Sequence, residues 1–154
     1  MTPERRQLVI NSWKSLAPAY AEAGAAFYRH LFELDPSLRP LFSSAILDGQ
    51  TMKFMAMMEM LVHWLDAPER LVPVAKELGA RHLGYGVHDE HYSRATAALL
   101  AMLEERLADR FTVEVRSAWS EAMLLITSLM RRGAARVSGQ FPVFNLEPAP
   151  KPTV

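Results

Sequence analysis

The chain has 154 residues, half of them hydrophobic, with 17 basic and 17 acidic side chains and no cysteine. That is the size of one compact domain with one core, and its zero formal charge gives no field to gather nucleic acid or anionic lipid, so no nucleic-acid partner is expected. Without cysteine there is no disulfide framework, iron–sulfur cluster or thiolate-held metal, and a metal would have to be bound by His, Asp, Glu, Met or Tyr. The longest apolar runs, such as Ala97 to Leu103, fall far short of the ~18 residues that span a bilayer. The start, Met-Thr-Pro-Glu-Arg-Arg, lacks the apolar stretch of a signal peptide. A soluble, cytoplasmic protein with no membrane insertion is expected.

Thr2-Pro3-Glu4 predicts a helix start, with a hydroxyl cap, proline in the first turn and an acid at the positive end of the dipole. Val9, Trp13, Leu16 and Tyr20 follow at helical spacing. A second helix carries Gly24, Tyr28, Leu31 and Leu34 and stops at Asp35-Pro36, because the residue before proline is pushed out of the helical region. A short helical turn is expected over Ser37 to Phe42, then a polar connection over Ser43 to Asp48, with Asp48 capping a third long helix. That helix sets Phe54, Met57, Met58, Leu61 and Leu65 on one face. Asp66-Ala67-Pro68-Glu69 ends it and opens a fourth, whose stripe is Leu71, Ala75, Leu78 and His82 and which Gly84 and Gly86 close. A fifth runs from Asp89 to Arg110 with Tyr92, Thr96, Leu99, Leu103 and Leu107 in register. Phe111-Thr112 breaks it, and Thr112 caps a sixth through Val115, Trp119, Ala122, Ile126 and Leu129. No proline lies between Pro73 and Pro142, as long helices require, and no segment alternates with period two. The fold class is therefore all-α. The domain covers residues 1–138, and residues 139–154, with four prolines and no helical stripe, read as a flexible tail.

The informative residues are polar ones on apolar faces, where each needs a partner. His82 lies four residues after Leu78, Gln50 four before Phe54, and Tyr28 three before Leu31. Singly, each has an ordinary reading as a satisfied core histidine, a first-turn glutamine or a core tyrosine. Together they describe a cavity with one metal-ligating imidazole on one side and two hydrogen-bonding groups on the other, an arrangement that can hold a haem iron and stabilise a bound diatomic.

The order and spacing of Phe27-Tyr28, Leu31-Phe32, Asp35-Pro36, Arg39-Pro40-Leu41-Phe42, Gln50, Lys53-Phe54, Arg81-His82, Gly86-Val87, His91-Tyr92 and Ala118-Trp119 resemble a bacterial single-domain globin, similar to flavohaemoglobin haem domains, over about Gln7 to Arg132. The resemblance implies a globin fold, with helices packed crosswise around haem b and its iron. It makes His82 the proximal iron ligand, Phe42 the aromatic against the haem face, Tyr28 and Gln50 the distal polar pair that binds the gas, and Phe54 the distal apolar wall. Lys53 and Tyr85 complete the expected haem contacts. The second ring nitrogen of His82 needs an acceptor, and the carbonyl of Leu78, one turn earlier, is the candidate.

The resemblance also implies the function: reversible binding of dioxygen, nitric oxide and carbon monoxide, serving oxygen binding or transport, or nitric-oxide handling. The alternatives are a nitric oxide dioxygenase needing a separate reductase and a haem-based gas sensor acting through a partner protein. Periodicity alone also fits a haem-free helical module. In flavohaemoglobins a tyrosine and a late glutamate join the proximal histidine in a network that enriches the iron in electrons. Tyr92 matches the tyrosine of that proximal network, but Arg131-Arg132-Gly133-Ala134 stands where the glutamate would be, and Glu121 is the last acid on that helix. A weaker electron push is expected. His88 and His91 have the spacing of a metal pair but sit at a helix start, and Met52, Met55, Met57, Met58 and Met60 scatter around their helix as packing residues do.

Overall fold

The computed structural model describes residues 1–42 and 44–140. Among these described residues there are six α-helices: α1 (Pro3–Lys14), α2 (Tyr20–Leu34), α3 (Ser44–His63), α4 (Pro68–Gly84), α5 (Asp89–Leu107) and α6 (Val113–Gln140). Short 3-10 turns cover Ala17–Ala19, Pro36–Leu41 and Ala108–Arg110. Among the described residues there is no strand, and no helix is long and apolar enough to cross a membrane. The all-α expectation holds. The expected tail begins within the last turn of α6, and residues 141–154 lie outside the described residues.

The local signals act as the sequence indicates. The Thr2 hydroxyl accepts the Arg5 N–H at 3.2 Å, and the Thr112 hydroxyl accepts that of Val115 at 3.2 Å, so each satisfies a first-turn donor. Pro68 opens α4 from its first turn, where a missing N–H costs nothing. Asp35 ends α2 and its carboxylate accepts the Ser37 N–H at 3.1 Å, starting the next turn. The Arg94 guanidinium, 2.8 Å from the other Asp35 oxygen, ties this corner to α5.

The start of α3 differs from expectation. Of the polar connection expected over Ser43 to Asp48, Ser43 lies outside the described residues and Ser44 to Asp48 are helical, so Asp48 lies inside the helix rather than capping it. Ala45, Ile46 and Leu47 supply helix formers and no proline interrupts them. Further along α3, Met55, Met58, Leu61 and Val62 form the buried stripe, which Leu65 continues in the turn beyond it, while Phe54 and Met57 stand at its half-buried edge.

Helix α6 is the central support, touching α1, α4 and α5, while α2 packs on α3 and α5. Consecutive helices α3 and α4 find different partners, α3 on α2 and α1, and α4 on α6. At the α1 end, Trp119 is fully buried and donates to the Ser12 hydroxyl at 2.8 Å, and Trp13 donates to the Tyr20 hydroxyl at 2.7 Å. Two helix pairs approach closely enough to require glycine. A Cβ on Gly79 of α4 would fall 1.8 Å from the Met130 carbonyl oxygen of α6, and one on Gly133 would fall 1.9 Å from that of Lys76. A Cβ on Gly24 of α2 would meet the Thr51 methyl of α3 at 2.4 Å.

Candidate functional site

The Gly24–Thr51 approach explains how Tyr28 and Gln50 come together. Tyr28 lies one turn beyond Gly24 on α2, and Gln50 adjoins Thr51 on α3, so packing of the Thr51 side chain onto the α2 backbone at Gly24 sets Tyr28 and Gln50 side by side. Tyr28 is 5% exposed. Burial pushes its hydroxyl up to about 12, while hydrogen bonding with the Gln50 side chain acts the other way. The phenol keeps its proton at neutral pH and remains a donor.

Aromatic rings surround Tyr28. Phe54 stacks on Phe27 with centroids 3.9 Å apart and meets Tyr28 edge-on at 5.9 Å. Phe42 lies 5.7 Å from Tyr28, and Phe32 touches both. The structure therefore brings Tyr28, Gln50, Phe42 and Phe54 into one cluster. Phe27 and Phe32 belong to it as well. Lys53, by contrast, is exposed on α3, and Tyr85, 37% exposed, forms the C-cap of α4.

His82 stands in the last turn of α4, with its Nδ1 2.7 Å from the Leu78 carbonyl. A carbonyl can only accept, so Nδ1 carries the hydrogen and Nε2 keeps its lone pair. Desolvation, with help from the neighbouring Arg81 charge, holds the imidazole below its ordinary value, against the opposing effect of the Leu78 bond. At pH 7 the ring is neutral, which is the ligating form.

Tyr92 on α5 is buried, and its hydroxyl is the one buried side-chain polar atom among the described residues without a hydrogen-bond partner. The Arg131 guanidinium carbon lies 5.1 Å from the centre of its ring. Glu121 is engaged elsewhere: it receives Arg5 at 2.6 Å and the N-terminal ammonium at 3.3 Å, both at the α1 end. His91 accepts the His88 N–H on Nδ1 at 2.9 Å and so serves the start of α5. Among the described residues no three His, Cys, Asp or Glu side chains group as metal ligands. A cavity of about 410 Å³ opens beside Tyr28, with Phe32, Arg39, Leu47 and Thr51 in its wall. It takes no lining from α4.

The globin family model matches residues 25–130, and the chain belongs to the globin family. An anaerobic nitrite reductase from Gossypium hirsutum is 32% identical over 135 residues, covering 79% of this chain and 83% of that one. A flavohemoprotein from Xylella fastidiosa is 34% identical over 124 residues, covering 77% of this chain and 31% of the longer protein. The chain also superposes on an engineered carbene transferase from Rhodothermus marinus, whose name assigns it provisionally to the nitric oxide dioxygenases. That match has a TM-score of 0.80 and 26% identity, over 91% of this chain and 97% of the other.

Membership of the family implies a haem, and the chemistry of the donor set fits one. A neutral imidazole with a free Nε2 and an oriented Nδ1–H is the form that can ligate a haem iron. Sequence reasoning missed the glycine pair Gly79 and Gly133 and the placement of Arg131 over Tyr92. The only sequence signal for the first was two small residues within helical stretches, and for the second an arginine where the related pattern has an acid.

Proposed function

We propose that the chain binds haem b through His82 and reversibly binds dioxygen, nitric oxide and carbon monoxide on the side of Tyr28 and Gln50. The observation that carries this reading is the His82–Leu78 bond, which leaves Nε2 as the free donor on a helix of the globin fold. A bound haem would supply an iron able to take up a diatomic gas. His82 holds it, and its bond to Leu78 keeps the ring from rotating. Phe42 and Phe54 provide apolar packing that excludes water, while Lys53 and Tyr85, at exposed positions, suit the polar edge of the group. Tyr28, protonated, donates toward negative charge developing on the ligand, and Gln50 orients that donor or adds its own. Dioxygen gains more from these donors than carbon monoxide, on which less charge develops.

Purified chain with added hemin should show a Soret band that His82→Gly loses or greatly weakens, and a parent chain without that band would sink the reading. A second reading, nitric oxide dioxygenase activity, draws support from the likeness to the Rhodothermus protein. In it nitric oxide, dioxygen and one electron give nitrate, so a separate reductase must supply the electron. Nitrate formed per haem with added reductase separates the two: a single stoichiometric turnover favours gas binding, and sustained turnover favours the enzyme.

A further inference from the structure

We infer that Arg94 is a positioning residue for the Tyr28 side of the site: through Asp35 it holds the Pro36–Leu41 turn, so that Phe42, which ends that turn, stays against Tyr28. This rests on the reading of Tyr28 and Gln50 as the gas-binding side. Phe42 is carried on a slight support. The Pro36–Leu41 turn is 3-10, a geometry with poorer hydrogen bonds than an α-helix, and Pro36 and Pro40 within it donate none from the backbone. Pro36, Ser37, Arg39 and Pro40 are exposed, and Leu38 is buried. The turn packs on α2, the helix it leaves, and the Phe42 N–H closes it on the Arg39 carbonyl at 3.1 Å. Local contacts alone therefore hold the turn loosely, and a tie to a distant element decides where Phe42 stands.

Asp35 provides that tie by using its two oxygens differently. Oδ1 accepts the Ser37 N–H at 3.1 Å and also the Ser37 hydroxyl, which organises the start of the turn. Oδ2 accepts Nη1 of Arg94 at 2.8 Å, from a residue 59 positions further along the chain. Hydrogen bonding from the Ser37 hydroxyl, joined by the Arg94 charge, outweighs desolvation and holds the carboxyl below its ordinary range, so it is ionised at neutral pH. The Asp35 side chain is 9% exposed, which keeps the pair partly out of water. Arg94 is offered from a fixed base: α5 packs along α2 and buries Tyr92 before it and Ala98 and Leu99 after it. With the carboxylate anchored at Oδ2, its Oδ1 cannot turn away from Ser37. Freed of Arg94, the carboxylate can rotate into water, the turn loosens, and the Phe42 ring is no longer kept 5.7 Å from that of Tyr28. Water then reaches the Tyr28 hydroxyl and competes for its proton with whatever the site binds.

The test compares the haem-loaded full chain with Arg94→Lys, Arg94→Met, Asp35→Asn and the double variant Arg94→Met with Asp35→Asn. Three quantities are read: hemin transfer to excess apomyoglobin, the stretching band of bound carbon monoxide, and the melting temperature. Arg94→Met and Asp35→Asn are each expected to release hemin roughly threefold to tenfold faster, and to broaden or split the carbon monoxide band as Phe42 and Tyr28 take more than one arrangement. The double variant is expected to be no worse than the worse single one, because one interaction is lost in all three. Arg94→Lys keeps the charge and, since a single guanidinium nitrogen makes the contact, is expected to stay near the parent. A lower melting temperature in Arg94→Met with hemin release and the carbon monoxide band unchanged would make the pair merely structural and overturn the inference. Equal effects in Arg94→Lys and Arg94→Met, or additive effects in the double variant, would overturn it too. Should Asp35→Asn fail to fold, the comparison of Arg94→Met with Arg94→Lys carries the test alone. Those failures defeat this inference only, whereas no Soret band in the parent defeats the haem reading and this inference together.

Discussion

Tyr28 is the residue whose removal discriminates most sharply between gas binding through donors and binding by an apolar pocket alone. Tyr28→Phe keeps the ring among Phe27, Phe42 and Phe54 and deletes only the hydroxyl. Loss of one hydrogen bond to a charged acceptor is worth roughly tenfold or more in rate, so the dioxygen dissociation rate should rise by at least that factor, with carbon monoxide release changing less. Stopped-flow displacement checks it, and an unchanged dioxygen rate would remove Tyr28 from the distal role. The same hydroxyl predicts a stability change in alkali. The folded chain holds this proton to about 12, against 10.0 for an ordinary tyrosine. Between these values the native state binds more protons than the unfolded one, so stability falls as pH rises from 10 toward 12. That difference is worth a few kcal/mol. Tyr28→Phe should therefore show a shallower decline in urea midpoint over that window than the parent.

At the scale of the helices, the two glycine contacts are what place the site. Gly79→Ala and Gly133→Ala each drive a methyl into a carbonyl oxygen, and overpacking of this kind costs about 1–3 kcal/mol, or more where backbone must move. Gly84→Ala, whose Cβ meets nothing within 4 Å, is the control that should leave stability little changed. Thermal melts of the three variants check the ranking, and equal tolerance of Gly79→Ala would contradict the tight crossing. Helix boundaries were legible wherever one local group decides them, as at Thr2, Asp35-Pro36, Pro68 and Thr112. The start of α3 was not, because Ser43 to Asp48 has loop-like polarity at its ends but helix formers between. Tyr28 and Gln50 were legible as neighbours, and the Leu78 carbonyl as the partner of His82, because a polar residue on an apolar stripe is visible in one dimension. The Gly79–Gly133 crossing and the Arg131–Tyr92 contact were hidden, because both depend on which two helices meet and at what height.

At the scale of the whole molecule, the six helices share one buried cluster running from Val9 to Met130. A group bound only by the folded form stabilises it by mass action, by about 4 kcal/mol at a thousandfold excess over the dissociation constant. Hemin should therefore raise the melting temperature of the parent substantially and that of His82→Gly far less. Equal increments in both would mean that haem sits somewhere other than against His82. This thermal difference reports on binding without any assay of gas or nitrate chemistry.

The Gly79–Met130 crossing also makes α4 a lever with unequal arms. His82 lies three residues from the pivot, about 4.5 Å along the helix axis, while Pro68 lies eleven residues the other way, about 16 Å. A rocking of α4 that moves its Pro68 end by a given amount moves the His82 end by roughly a quarter as much. The imidazole thus sits near the still point of its own helix, and agitation at the α3–α4 connection reaches it strongly damped.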